Sequence, residues 1–207
     1  MNTRKYWQDK TIVDEIVTIV QKNQIVAGTS DTIIGLIAPL TQKGFDTLNR
    51  LKERSDKPYL VLVAHKEQAD QFTDALKKEP LKTVVENCWP GPLTLIVSAK
   101  DSVPSFATSA SKAIALRVPN HPGLQEIASR MGGIFSTSAN PANQPVPQTI
   151  DELDPTIKYS VALLIDDHNE TKKNPSTILD CTGNTVKIIR EGAYTKEILR
   201  DYLPTLR

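Results

Sequence analysis

Several short stretches of this sequence group polar side chains between apolar runs, where a folded chain could bring them into one site. Thr29-Ser30-Asp31-Thr32 leads into Ile33-Ile34-Gly35-Leu36 and gathers three hydroxyls and one carboxylate. Hydroxyls hold small polar ligands well because each donates and accepts. The same residue types also bond their own backbone in turns, and the tetrapeptide alone does not choose between the two. Lys52-Glu53-Arg54 and Lys57-Pro58 form a compact cationic group. Arg grips phosphate through two parallel bonds and Lys adds a mobile point charge, a pairing that suits a triphosphate. Cations in the last turn of a helix would equally complement its dipole while staying solvated.

Arg117 interrupts the apolar run Ala113-Ile114-Ala115-Leu116-Arg117-Val118-Pro119. A guanidinium in such a run meets either a carboxylate of the protein or an anionic ligand. Ser136-Thr137-Ser138-Ala139-Asn140, then Ser176-Thr177 and Arg190, offer further hydroxyls, an amide and a guanidinium. Such groups can stabilise developing charge when they converge. No Gly-x-Ser-x-Gly elbow, Walker loop, GxGxxG or HExxH occurs. That absence points to chemistry by positioning. His65, His121 and His168 are too scattered for a metal cluster, and Cys88 and Cys181 lack CxxC spacing. Both cysteines read as plain thiols, buried or half-buried.

These groups need elements to carry them. Apolar residues at helical spacing in 11–21 predict an amphipathic helix, followed by a strand at Ile25–Ala27. Thr41 is placed to cap a second helix with Phe45, Leu48 and Leu51 on one face, ending near Lys52 and Arg54. Further strands are expected at Tyr59–Ala64, Leu93–Ser98, Ala113–Val118, Gly133–Ser136, Val161–Ile165, Ser176–Asp180 and Val186–Arg190. Helical periods recur at Lys66–Leu76, Pro122–Met131, Thr149–Leu153 and Thr195–Leu203. The pattern is α/β around a mixed, twisted sheet. The loops Trp89-Pro90-Gly91-Pro92 and Ser136–Pro141 are where such folds keep their chemistry.

The chain has the size of one domain, 1–207, with 39% hydrophobic and 24% charged residues, enough for a core. A net charge of +1, from 25 basic and 24 acidic residues, does not announce a nucleic-acid binder, so any anion site must be local. The polar start and the lack of long apolar runs predict no signal peptide, no membrane span and a cytoplasmic protein.

Read in order, the segments resemble the YrdC-like family. Ser30-Asp31-Thr32 with Gly35-Leu36 resembles its Pro-Thr-Asp-Thr-Val-Tyr-Gly-Leu, and Lys52-Glu53-Arg54 with Lys57-Pro58 its Lys-x-Arg segment. Trp89-Pro90-Gly91-Pro92-Leu93-Thr94 resembles Trp-Pro-Gly-Pro-Leu-Thr, and Leu116-Arg117-Val118-Pro119 with His121-Pro122 resembles Val-Arg-x-Pro-x-His-Pro. Ser138-Ala139-Asn140, Pro175–Asp180 and Ile189–Ala193 resemble the remaining motifs, so the likeness runs from Ile12 to Leu199.

The resemblance implies an open, twisted, mixed and largely antiparallel sheet with flanking helices, of the YrdC/RibB-like kind. It implies synthesis of L-threonylcarbamoyladenylate from L-threonine, bicarbonate or CO2, and ATP, with Mg²⁺ on the phosphates. Thr32, Arg117, Ser136 and Ser176 are then the threonine contacts. Arg54, Lys57, Ala113, Ser138 and Arg190 are the ATP contacts, and Lys52, Arg54, Ser138 and Asn140 the catalytic group. Downstream proteins that transfer threonylcarbamoyl to tRNA are implied partners, and direct binding of tRNA or double-stranded RNA a further implication. Thr29, Ile34, Ser55, Leu62 and Val146 depart from the family pattern. They keep open a non-catalytic RNA-binding relative. A third reading, the YrdC-like module of hydrogenase-maturation proteins, lacks its acylphosphatase and zinc-finger regions in this sequence.

Overall fold

The computed structural model describes residues 3–53, 58–167, 174–204 and 206. Helix α1, Ile12–Gln21, buries Ile12, Ile16, Val17 and Val20, the stripe its spacing predicts. Helix α2, Gln42–Lys52, is capped as expected: Thr41 Oγ1 accepts from Gly44 N at 3.1 Å. Helix α5, Pro122–Met131, matches its expected span, with His121 Nδ1 accepting from Leu124 N and Gly132 closing it in the left-handed region.

The sheet has ten strands among the described residues, in the order β1-β8-β2-β3-β7-β4-β6-β5-β9-β10. They are β1 (Arg4–Tyr6), β2 (Val26–Gly28), β3 (Gly35–Pro39), β4 (Leu60–Leu62) and β5 (Leu93–Ser98), then β6 (Ala113–Arg117), β7 (Ile134–Ser138), β8 (Leu163–Asp166), β9 (Thr177–Asp180) and β10 (Lys187–Arg190). Five of the pairings are antiparallel and four parallel, the mixed sheet expected.

Two strands and two helices escaped the sequence reading: β1, β3, α4 (Leu81–Cys88) and α6 (Pro155–Ser160). The helix expected over Lys66–Leu76 is instead a single turn, α3 (Lys66–Ala69), and a separate 3-10 turn at Ala75–Lys77. Its polar side chains are committed elsewhere. Gln68 binds Ala64 N and Ala128 O, and Thr73 Oγ1 donates to Ser98 O while accepting from Ala75 N. Thr149–Leu153 shrinks to a 3-10 turn at Ile150–Glu152, and Thr195–Leu203 to α7, Lys196–Arg200, capped by Thr195.

Alternation along the strands separates two faces. Leu93, Leu95 and Val97 of β5, Ile114 and Leu116 of β6, and Val61 of β4 join the larger core, which also holds Leu48 and Leu51 of α2. On the opposite face, α1 and α5 pack over one end of the sheet with Val26, Ile37, Leu62, Ile134 and Ile165. The other end of that face is not covered in this way, and there the site lies.

Candidate functional site

Beside Ile96 of β5 and Ile178 of β9, small or polar residues point to that face from the uncovered strands: Thr94 from β5, Ala113, Ala115 and Arg117 from β6, Ser136 and Ser138 from β7. Register lines them up. Leu60 pairs with both Ser136 and Ala115, Ala115 with Ile96, and Ile96 with Asp180. One step along, Leu62 pairs with Arg117, and Ile178 pairs with both Thr94 and Arg190. Small side chains between bulky neighbours leave a concavity of about 520 Å³. It brings together Thr32, Lys52, Ala113, Arg117, Ser136, Ser138, Ser176 and Arg190 of the predicted residues. Asn140 stands one hydrogen bond behind, accepting from Lys52 Nζ at 3.1 Å. Arg54 and Lys57, like Ser55 and His168, lie outside the described residues.

Of the two partners its sequence left open for Arg117, the structure shows the carboxylate of the protein. Arg117 Nη2 pairs with Asp31 Oδ1 and its Nη1 donates to Thr32 Oγ1 at 3.0 Å. Its Nε is buried with no hydrogen-bond partner among the described residues. Burial pushes this guanidinium below its ordinary pKa, and Asp31 opposes the shift. Arg190 is close enough to push the same way. The tetrapeptide Thr29–Thr32 does two jobs. Ser30 makes a local turn, accepting from Thr32 N and donating to Ile33 O, while the Thr32 hydroxyl serves Arg117.

On the next strands, Ser176 is buried and its hydroxyl meets Thr94 Oγ1 at 2.9 Å. Arg190 donates to Ser176 O through Nε and Nη2, at 3.2 and 2.8 Å, and to Ser176 Oγ at 3.2 Å. Among the described residues no carboxylate pairs with it. Although Arg190 as a whole is exposed, its guanidinium end is crowded enough by the cavity wall to lower its pKa. Thr177, fully buried, pins the turn after β10: its hydroxyl accepts from Gly192 N and Tyr194 N and donates to Tyr194 O. A side chain at Gly192 would lie 2.2 Å from Pro175 O, so only glycine permits this approach.

Lys52 ends α2 with its ammonium on Ser138 O at 2.7 Å, Ser138 Oγ at 3.2 Å and Asn140 Oδ1 at 3.1 Å. Its carbonyl accepts from Ala142 N. It therefore shapes the Ser138–Asn140 loop from both ends. Ala113 contributes its small side, since its N–H is taken by Ser109 Oγ at 3.1 Å.

The sequence reading missed Thr94, Ser109, Ser111, Asp180 and Thr182 as lining residues, and Asp31 as the partner of Arg117. A lone Thr in the apolar strand Leu93–Ser98 was the available signal for Thr94. Of the departures, Thr29 accepts from Trp7 Nε1 at 3.1 Å, Ile34 is in the core, Leu62 lines the cavity and Val146 is half-buried. Burial raises the Cys88 thiol to about 11, and burial together with the Asp180 charge raises Cys181 to about 12, which disfavours the reactive thiolate. No described helix is long and apolar enough to cross a membrane.

Comparison with known proteins gives the following. The profile of the Sua5/YciO/YrdC family, described as telomere recombination, matches residues 18–192. A threonylcarbamoyl-AMP synthase of Pseudomonas fluorescens is 30% identical over 172 residues, which cover 81% of this chain and 92% of the relative. One of Bacillus subtilis is 28% identical over 95% of this chain, which spans only 60% of that longer protein. Among solved structures, P. abyssi Sua5 complexed with L-threonine superposes with a TM-score of 0.88 at 22% identity, over all of this chain and 62% of the archaeal one. E. coli YciO gives 0.84 at 20% identity, over 98% of this chain and all of its own.

Proposed function

Because the chain belongs to the Sua5/YciO/YrdC family, we propose that it is an L-threonylcarbamoyladenylate synthase, a nucleotidyltransferase acting in the cytoplasm for tRNA modification. The observation that carries this reading is the buried Arg117 guanidinium, ion-paired to Asp31, in a cavity that also holds Arg190, with which no carboxylate pairs among the described residues. One end suits an amino acid and the other suits phosphate.

In this reading the threonine carboxylate meets Arg117, with Thr32, Ser136 and Ser176 around the amino acid. ATP lies toward Arg190, Ser138 and the wall at Ala113, with Arg54 and Lys57 on its phosphates. Lys52 and Asn140 hold Ser138 in place. The threonine amine attacks the carbon of CO2, or of bicarbonate with loss of water, to give a carbamate. A carbamate oxygen then attacks the α-phosphorus, and the bond to the β-phosphate breaks with pyrophosphate leaving. Both steps need orientation and charge neutralisation, and neither needs a protein nucleophile. Mg²⁺ fits as a companion of the triphosphate: the described residues hold no group of three His, Cys, Asp or Glu to cage a metal, and Mg²⁺ binds readily through phosphate oxygens and water. There it would neutralise phosphate charge.

The test is pyrophosphate release from ATP in the presence of bicarbonate, with L-threonine, L-serine or no amino acid. Threonine-dependent release is expected. A folded protein that binds ATP and releases none would favour the non-catalytic RNA-binding relative.

A further inference from the structure

The cavity holds two guanidiniums that feel each other's charge, and both would by default attract phosphate. A site that must seat an amino acid beside a nucleotide needs a device that tells its two arginines apart. Asp31 is the carboxylate in contact with one of them. Its Oδ1 pairs with Arg117 Nη2, and its Oδ2 accepts from Asn120 N at 2.8 Å, which anchors it to the loop after β6. Asp31 does not itself line the cavity. The carboxylate that does line the wall, Asp180, lies four residues beyond Ser176 at the end of β9, roughly 13 Å at strand rise. It is occupied by Thr182 N and Oγ1.

We propose that Asp31 sets the ligand preference of Arg117, making this arginine a receptor for the carboxylate of a zwitterionic amino acid and closing it to polyphosphate. The inference rests on the reading of the cavity as a threonine and ATP site and assigns its specificity. Two steps lead to it. With one N–H of Nη2 on Asp31, one of Nη1 on Thr32, and Nε buried, the guanidinium offers a ligand fewer donors than the several a phosphate group engages. With its charge compensated, Arg117 gains little from a polyanion but still accepts a ligand that carries its own positive charge. Asp31 acts through Arg117 and is a positioning residue.

The experiment is calorimetric titration of the full chain with L-threonine, alone and in the presence of inorganic pyrophosphate, for the wild type, Asp31→Asn and Asp31→Glu. Asp31→Asn keeps the shape and an acceptor for Asn120 N–H while removing the charge. Expected are threonine binding to the wild type that pyrophosphate does not compete away, at least tenfold weaker threonine binding in Asp31→Asn, and pyrophosphate that now competes. Asp31→Glu keeps the carboxylate and is expected to resist that competition. Threonine binding within twofold of wild type in Asp31→Asn, or a loss without gained competition, overturns the proposal. Should Asp31→Asn not fold, competition by pyrophosphate in Asp31→Glu overturns it equally. A wild type that binds no threonine at all is a different failure, since it removes the reading of the cavity itself.

Discussion

Arg117 and Arg190 face one cavity from two places in the sheet, and they are held in opposite ways. Arg117 leaves the central strand β6, is 4% exposed, and has its charge answered by Asp31. Arg190 leaves the edge strand β10, is exposed, and is held by a carbonyl and a hydroxyl of Ser176. A central strand can bury a cation only with a counter-ion beside it, because desolvation is otherwise too costly. An edge strand can leave the charge unanswered. Position in the sheet thus divides the cavity into a compensated end and an uncompensated end.

The largest effect expected from breaking this contrast is on stability. Arg117→Met strands Asp31 in a buried site and should cost about 3–5 kcal/mol. Arg190→Met loses only hydrogen bonds to Ser176 and should cost about 1 kcal/mol. Chemical denaturation of the two variants checks this, and equal losses would erase the distinction. Next in size is Thr177→Val, which deprives Gly192 N and Tyr194 N of their acceptor and should cost about 2 kcal/mol. Because it loosens the turn that carries Arg190, it should raise the ATP requirement in a pyrophosphate-release assay and leave the threonine requirement unchanged. Thr94→Val removes one of the two partners of the Ser176 hydroxyl, should cost about 1 kcal/mol, and should raise the threonine requirement a few-fold. The smallest effect is none. With thiols raised to about 11 and 12, alkylation at pH 8 should leave activity at either end intact, as an assay before and after treatment would record.

What could be read from the chain beforehand follows from how local each signal is. The Thr41 cap, the stripe of α1, the helix Pro122–Met131 and the strand around Arg117 are written within a few residues, and they stand as expected or close to it. The polar groups of the site were legible as clusters, but their partnerships were not. Asp31 and Arg117 are 86 residues apart, and Thr94 and Ser176 are 82, so only strand register brings them together. Strand β1, Arg-Lys-Tyr at the sheet edge, has too few apolar residues to show a period. The false helix at Lys66–Leu76 arose because Gln68 and Thr73 look like surface polar residues until their buried partners appear. Cys88 belongs to a helix, α4, that sits in the core without having been foreseen.

The most direct test of the division into two ends is the apparent KM for L-threonine and for ATP in Arg117→Lys and Arg190→Lys, measured by pyrophosphate release. Lysine keeps each charge and loses the planar fork. The account predicts that Arg117→Lys raises the KM for threonine at least tenfold with the ATP value near wild type, and that Arg190→Lys does the reverse. A threonine KM untouched in Arg117→Lys, or the same pair of shifts in both variants, would contradict it.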